Sequence, residues 1–191
     1  GGHFNPAVTI AVLLSRRSGK CLEGLCYIAA QMAGGIVAGL LCLWAIKGVI
    51  PPPHWTLACA SATPLLDRFT VILCEGVAVL GIGLVTLTSI TSKSLWRDRF
   101  RPPRNFQFAL AIGFSYSASA TALRIISGGE LNQAVSVAIS TVNYFQPAFS
   151  PRPKCVGVFA YLLGETLGGV AAPALFMIIN PQEYSEDPLG I

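Results

Sequence analysis

The chain contains one short motif twice, and this duplication limits the folds that are open to it. Residues 1–9 read GGHFNPAVT, and residues 128–136 read GGELNQAVS. Helix-length sequence follows each copy and matches as well. The aligned positions there are Tyr27, Gln31, Gly34 and Gly35 against Tyr161, Glu165, Gly168 and Gly169. Two blocks that match in the same order indicate an internal duplication.

The composition is typical of a polytopic membrane protein. Hydrophobic residues make up 53% of the chain and charged residues only 12%, whereas soluble domains carry roughly a quarter charged residues. The net charge of +4 is spread over loops, so no nucleic-acid surface is predicted. The six cysteines lack the paired spacing of metal sites. With no nucleophile–base pair or phosphate loop in the sequence either, we predict no enzymatic activity, cofactor or metal.

Each copy of the motif opens a short apolar segment. Asn5 is a favourable N-cap, and Pro6 suits the first helical position. The apolar run Val8–Leu14 is too short to cross a bilayer, which takes about 20 residues, and a basic loop follows it. We therefore predict a re-entrant half-helix here and a second one over 128–144. Four membrane spans are predicted at Leu22–Ile46, Phe69–Thr91, Phe106–Ile126 and Val156–Ile179.

The order of these segments predicts an inverted repeat. Basic residues of the loops 15–20 and 92–105 mark one face as cytoplasmic-like. Three spans separate the two half-helices, so the half-helices enter from opposite faces, an arrangement that points to a transport site. The predicted organisation is a half-helix and the last span of a first repeat (1–48), a connecting loop (49–67), a complete second repeat (68–180) and an acidic tail (181–191).

These motifs resemble the aquaporin/aquaglyceroporin (major intrinsic protein) family. The resemblance rests on GGHFNPAVT, the Tyr-x-x-x-Gln-x-x-Gly-Gly pattern, Glu75 in the next span, and Ala-Ile-Gly at 111–113 ahead of GGELNQAVS. It implies an all-α fold of six spanning helices and two half-helices, usually assembled as tetramers. Only four of the six spans are present, and we expect the first two in an upstream segment or on a separate polypeptide. The expected partners are a lipid bilayer and a homotetramer or larger membrane assembly.

The resemblance places a pore at the two half-helix tips. A half-helix that begins near the middle of the bilayer presents unpaired N–H groups and a positive dipole end, which repel cations. Asn5 and Asn132 would donate hydrogen bonds to a passing oxygen. The expected pore motif is Asn5, Pro6, Ala7, Asn132, Gln133 and Ala134. Gln133 replaces a Pro of the family, and it either loosens the tip or fills the lumen.

The family's selectivity filter maps onto Ala120, Gly129 and Val135. A water-selective filter would be similar to His at the first of these positions and Arg at the last. Neither is present, so we expect a wide apolar filter without strict water selectivity. Arg124 either restores a positive rim at this level or extends to the membrane interface.

Three other polar residues, Glu75, Glu130 and His3, belong to the expected site. An intramembrane carboxylate is by default a functional candidate, and the resemblance implies that Glu75 accepts hydrogen bonds from the backbone of the second re-entrant loop; proton transport is the alternative. Glu130 adds a carboxylate close to a helix N-terminus, where it is favoured. His3 matches a loop histidine of the family and serves either packing or gating. Glu165 departs from the family's pattern.

Two functions follow from these features. The first is a passive transmembrane channel for water or small neutral solutes with a relaxed filter. The alternative is a non-conducting, channel-derived structural subunit of a larger membrane complex. It is supported by the absent helices, by Gln133 and Val135, and by the basic loop 92–105, which could dock acidic partners. Both make the chain an integral, multi-pass membrane protein, and the sequence does not indicate which membrane.

Overall fold

A computed structural model describes residues 2–16, 20–45, 65–91, 104–145 and 156–184. Within these ranges the structure contains six α-helices, one short 3-10 helix and no strand, so the predicted all-α fold is confirmed. The helices are α1 Pro6–Leu14, α2 Cys21–Ala45, α3 Leu65–Thr91, α4 Arg104–Leu123, α5 Gln133–Phe145 and α6 Val156–Ile179, and the 3-10 helix is Pro181–Glu183.

The helices fall into two length classes. Among the described residues, α2, α3 and α6 are long and apolar enough to cross a membrane. The apolar part of α4, Phe108–Leu123, is shorter than the predicted span because the helix ends at Leu123 and a turn follows. The predicted half-helices α1 and α5 have 9 and 13 residues, fewer than the roughly 20 needed to span a bilayer.

Two predicted boundaries differ from the structure. Helix α3 begins at Leu65, within the segment 49–67 predicted as a connecting loop, and residues 46–64 lie outside the described ranges. The predicted tail 181–191 starts with the 3-10 helix, in which Glu183 is buried. Tyr184 packs edge-on against Phe176 of α6, with ring centroids 6.3 Å apart. The start of the tail therefore packs on α6, and 185–191 lie outside the described part.

The duplication is visible in how the helices pack. A Cβ atom added to Gly35 of α2 would lie 2.3 Å from the carbonyl oxygen of Ala134 in α5. At the equivalent position of the other repeat, a Cβ on Gly169 of α6 would lie 2.6 Å from the carbonyl oxygen of Ala7 in α1. Each long helix thus packs backbone to backbone on the half-helix of the other repeat, and only glycine permits this approach.

The tightest packing between long helices joins α3 to α6. A Cβ on Gly164 would lie 2.6 Å from the Ile72 carbonyl oxygen, and one on Gly168 would lie 2.3 Å from the Gly76 carbonyl oxygen. Small residues one turn apart let membrane helices approach this closely. The adjoining apolar core combines residues of α1, α3, α6 and the loop before α5. Its members are Ala7, Val8, Val12, Val79, Ile82, Leu87, Leu131 and Phe176.

The α3–α6 contact generates a stability prediction. We expect Gly168→Val to lower the thermal unfolding midpoint of the detergent-solubilised protein, because the new side chain meets backbone that cannot rotate away. Overpacking of this kind costs about 1–3 kcal/mol. Gly81→Val is the matched control, since outside its own helix nothing in the described ranges lies within 4 Å of a Cβ there. The midpoints are measured by circular dichroism. Equal midpoints for the two variants would contradict the described α3–α6 packing.

Candidate pore site at the two half-helix tips

Both half-helices begin at an asparagine that caps its own helix. The Asn5 side-chain oxygen accepts a hydrogen bond from the N–H of Ala7 at 2.9 Å. The Asn132 side-chain oxygen accepts one from the N–H of Ala134 at 3.0 Å. Each cap satisfies one of the backbone donors that a helix start leaves open. Because the oxygen of each amide is used in the cap, its NH₂ group is directed away from its own helix and can donate elsewhere.

The two tips are joined by a reciprocal pair of hydrogen bonds. Asn5 Nδ2 donates to the carbonyl oxygen of Leu131 at 2.7 Å, and Asn132 Nδ2 donates to the carbonyl oxygen of Phe4 at 2.9 Å. Phe4 and Leu131 each precede the capping asparagine and have left-handed φ values of 54° and 58°, a conformation that is costly for non-glycine residues. The structure thus brings Asn5 and Asn132 together by the same local geometry on both sides.

The meeting of the tips sets the local electrostatics. Two helix N-termini face each other, and each carries about half a positive charge from its peptide dipoles. The N–H groups of Ala7 and Ala134 already donate to the capping asparagine side chains. The neutral NH₂ groups of Asn5 and Asn132 are therefore the side-chain donors where the two tips meet. Such a site favours an uncharged oxygen and disfavours a cation.

Glu75 holds the loop that leads into α5. Its Oε1 accepts hydrogen bonds from the Ser127 hydroxyl at 2.5 Å and from the Glu130 N–H at 3.3 Å. Its Oε2 accepts the Leu131 N–H at 2.8 Å, and the Tyr161 hydroxyl donates to the Ser127 carbonyl oxygen. These contacts position Leu131, whose carbonyl receives the Asn5 amide. Glu75 is fully buried, and this set of donors compensates for its burial.

Two of the three predicted filter positions lie side by side. Gly129 has a φ of +69°, and a Cβ there would lie 2.9 Å from the Ala120 Cα. The loop therefore passes the α4 backbone at a distance that a larger residue would not permit. Val135 lies in the first turn of α5 with 40% of its surface exposed, and Arg124 is exposed in the turn after α4.

The side chain of Gln133 binds α6. Its side chain is buried, and its Nε2 donates to the Thr166 hydroxyl at 2.6 Å and to the Leu162 carbonyl oxygen at 3.3 Å, both on α6. Positions 133 and 135 lie about 200° apart around a helix axis, so Gln133 points away from the side that carries Val135. These contacts with α6 favour a packing role for Gln133 over the lumen-plugging alternative.

Glu165 is explained by the repeat. It is fully buried, and its Oε1 accepts a hydrogen bond from the Ser136 hydroxyl at 3.1 Å. At the equivalent place in the first repeat, the Gln31 amide and the Thr9 hydroxyl lie 3.2–3.3 Å apart. Each long helix thus binds the first turn of its own half-helix through one polar pair. The alignment of the two repeats pairs Gln31 with Glu165 and Thr9 with Ser136. This alignment is the sequence signal that could have predicted the Glu165–Ser136 contact.

His3 is held by packing contacts. Its Nδ1 lies 3.2 Å from the Thr9 hydroxyl oxygen, and its ring stacks on Tyr27 with centroids 5.2 Å apart. Burial lowers the pKa of His3 below its ordinary value of 6.5, so the ring is neutral at pH 7. The contacts favour the packing role over the gating role considered for this residue.

One residue of the site was missed by sequence reasoning. The hydroxyl oxygen of Tyr116 on α4 accepts a hydrogen bond from Asn5 Nδ2 at 2.7 Å. Tyr116 lies one helical turn before Ala120, so the two share a face of α4. The spacing of four residues from the predicted filter position Ala120 is the sequence signal that could have identified Tyr116 as a residue of the site. Within the described ranges, no group of three His, Cys, Asp or Glu residues could hold a metal ion.

The Glu75 contacts predict a loss of stability on neutralisation. Glu75→Gln replaces one acceptor oxygen by an NH₂ group that faces loop donors, and a buried unsatisfied donor costs about 1–3 kcal/mol. We expect a lower thermal midpoint by circular dichroism. Glu23→Gln, at an exposed position near the start of α2, is the control and should match the wild type. A midpoint for Glu75→Gln equal to that of the control would show that the carboxylate is dispensable.

Glu130 predicts a pH dependence of stability. Burial, and then the charge of Glu75, raises the pKa of Glu130 from 4.5 to about 7. A carboxyl whose folded pKa lies above its unfolded value binds its proton more tightly in the folded state, so this contribution to stability falls as the pH rises from 4.5 to about 7. We expect the thermal midpoint of Glu130→Gln to vary less with pH across this window than the midpoint of the wild type. An unchanged slope would mean that the pKa of Glu130 is the same in the folded and the unfolded state.

Comparisons with known proteins agree with this geometry. The family model described as Major intrinsic protein matches residues 1–172. The chain is 28% identical over 188 residues to the probable aquaporin TIP2-2 of Arabidopsis thaliana, covering 98% of this chain and 66% of that protein. It is 29% identical over 182 residues to aquaporin-4 of Homo sapiens, covering 92% and 48%. Over a shorter stretch of 67 residues it is 34% identical to aquaporin-B of Dictyostelium discoideum, covering 35% and 22%.

The chain therefore spans two thirds or less of the length of these relatives. The family match, by contrast, covers nearly all of this chain, and the described helices include three of membrane-spanning length. The chain is an integral membrane protein, and it belongs to the major intrinsic protein family.

Proposed function

We propose that the chain forms the larger part of a passive transmembrane channel for water or small neutral solutes. The observation that carries this proposal is the reciprocal pair of Asn–carbonyl hydrogen bonds between the half-helix tips. It directs two amide groups and two positive helix ends to one point, and that arrangement suits an uncharged permeant. Several relatives are named aquaporins. Since members of the family are channels, we propose no enzymatic activity.

The proposed filter is permissive. Ala120 and Gly129 present a methyl group and no side chain, and Val135 adds a second apolar surface. A filter of this kind has no cation and no side-chain donor with which to select water over a larger neutral solute. We therefore propose that solutes of glycerol size pass as well as water.

We further propose that another helix covers α2 and completes the lumen. Gly168 of α6 contacts α3, whereas nothing in the described ranges lies within 4 Å of a Cβ on Gly34, its equivalent in α2. Large apolar side chains of α2 are also exposed, among them Leu22, Leu25, Val37, Leu41 and Trp44. The repeat implies a helix equivalent to α3 on this face, supplied by an upstream segment or a separate chain, within a homotetramer or a larger assembly.

A second candidate function is a non-conducting subunit of a membrane complex. One observation favours it specifically: both amide hydrogens of Asn5 have acceptors, the Leu131 carbonyl and the Tyr116 hydroxyl. An amide that is fully occupied in this way offers no donor to a permeating molecule until one contact opens.

The two candidates are separated by flux measurements on the protein extracted from its membrane and reconstituted in liposomes. The channel proposal predicts osmotic water and glycerol permeabilities above those of empty liposomes. We expect Val135→Arg to reduce glycerol permeability by about tenfold, equivalent to about 1.4 kcal/mol of barrier, and to reduce water permeability less, because the guanidinium narrows the filter and adds a donor.

The matched control for this prediction is Val135→Leu, which adds volume without charge and should retain glycerol passage. If Val135→Arg leaves both fluxes unchanged, Val135 does not line the pathway. If the wild type shows no flux above empty liposomes, the non-conducting alternative is favoured instead.

A further inference from the structure

The side-chain amides of Asn5 and Asn132 make matching contacts, with one exception. Asn5 and Asn132 both cap their helices and both donate to the opposite loop. The second amide hydrogen of Asn5, however, is directed to the Tyr116 hydroxyl oxygen at 2.7 Å. Within the described part of the chain, no side chain stands in the corresponding place at Asn132. The Tyr116 hydroxyl therefore occupies a donor of the α1 tip.

Tyr116 lies on the face of α4 that borders the site. Tyr116, Ala120 and Leu123 are spaced as one helical face, and all three pack against the core that surrounds α1. The close approach of Gly129 to Ala120 fixes α4 at this position. Along this face the wall changes within one turn from the methyl group of Ala120 to the phenol ring of Tyr116. The side chain that α4 presents at the level of Asn5 is therefore bulkier than the one that it presents at the filter.

The hydroxyl of Tyr116 stands where a permeating oxygen would bind. A donor–acceptor distance of 2.7 Å is that of an ordinary hydrogen bond, so the phenol oxygen satisfies the Asn5 amide as a water or alcohol oxygen would. A solute must displace this hydroxyl to reach the donor, and the ring must turn aside to leave room. Both steps add to the barrier at one residue.

We propose that Tyr116 is the gate of this channel, closed when its hydroxyl binds the Asn5 amide and open when the ring leaves that position. The proposal rests on the channel function proposed above and assigns the closed state to the structure described here. The hydroxyl holds the gate shut through one hydrogen bond, and the ring blocks the passage by its size. Tyr116→Phe removes only the first of these effects, and Tyr116→Val removes both.

The test compares osmotic water permeability of four reconstituted proteins: wild type, Tyr116→Phe, Tyr116→Val and Phe114→Val. Phe114 lies two residues away on α4 and is 67% exposed, so its variant is the matched aromatic-to-valine control. We expect Tyr116→Val to raise the permeability by about tenfold, which corresponds to about 1.4 kcal/mol of barrier. Tyr116→Phe should give a smaller rise, and Phe114→Val should leave the wild-type value unchanged.

The outcomes distinguish the gate from the channel. A wild type that conducts well and is unaffected by Tyr116→Val overturns the gate and leaves the channel in place. If no variant conducts, Tyr116→Val included, the channel function falls and the gate falls with it. A second measurement does not depend on flux: the side-chain amide resonances of Asn5 should shift in Tyr116→Phe while those of Asn132 stay in place. Unshifted Asn5 resonances overturn the proposed contact.

Discussion

The structure depends on the pair of amide–carbonyl hydrogen bonds that ties the two half-helix tips together. A helix that stops inside a bilayer leaves backbone donors with no water to satisfy them. Here each capping asparagine satisfies one of those donors with its oxygen and binds the other tip with its nitrogen. Phe4 and Leu131 keep their costly left-handed backbone conformation because the carbonyl oxygen of each accepts one of these hydrogen bonds. The same bonds that stabilise the tips also bring the donors to the proposed lumen.

The other contacts can be understood as support for that pair. Gly35 and Gly169 let each long helix reach the half-helix of the opposite repeat, which prevents the tips from separating. Glu75 orients the loop before α5 by accepting its N–H groups. The Gln31–Thr9 and Glu165–Ser136 pairs bind each half-helix to its own long helix. Pairing of this kind lowers the cost of burying polar groups in such a core.

The two tips share their backbone geometry and differ in their side chains. A proline begins α1 and a glutamine begins α5, yet both helices start with the same cap. Gln133 is accommodated because Thr166 and the Leu162 carbonyl on α6 accept its amide hydrogens. Tyr116 has the larger consequence, since its hydroxyl occupies a donor of the α1 tip. In the proposed channel, selectivity and gating depend on a few side chains in a backbone frame that the two repeats share, as expected when function resides in the site and not in the fold.

The sequence by itself determined the duplication, the two short helices, the asparagine caps and the family resemblance. Each of these depends on a local sequence pattern or on the repetition of such a pattern along the chain. It identified Glu75 as important from its apolar surroundings alone. Only the tertiary structure decided where Gln133 points, what Glu165 binds and which residue stands at Asn5. Those outcomes depend on which face of one helix meets which atoms of another. Such contacts join residues as distant as Asn5 and Tyr116, and no local pattern records them.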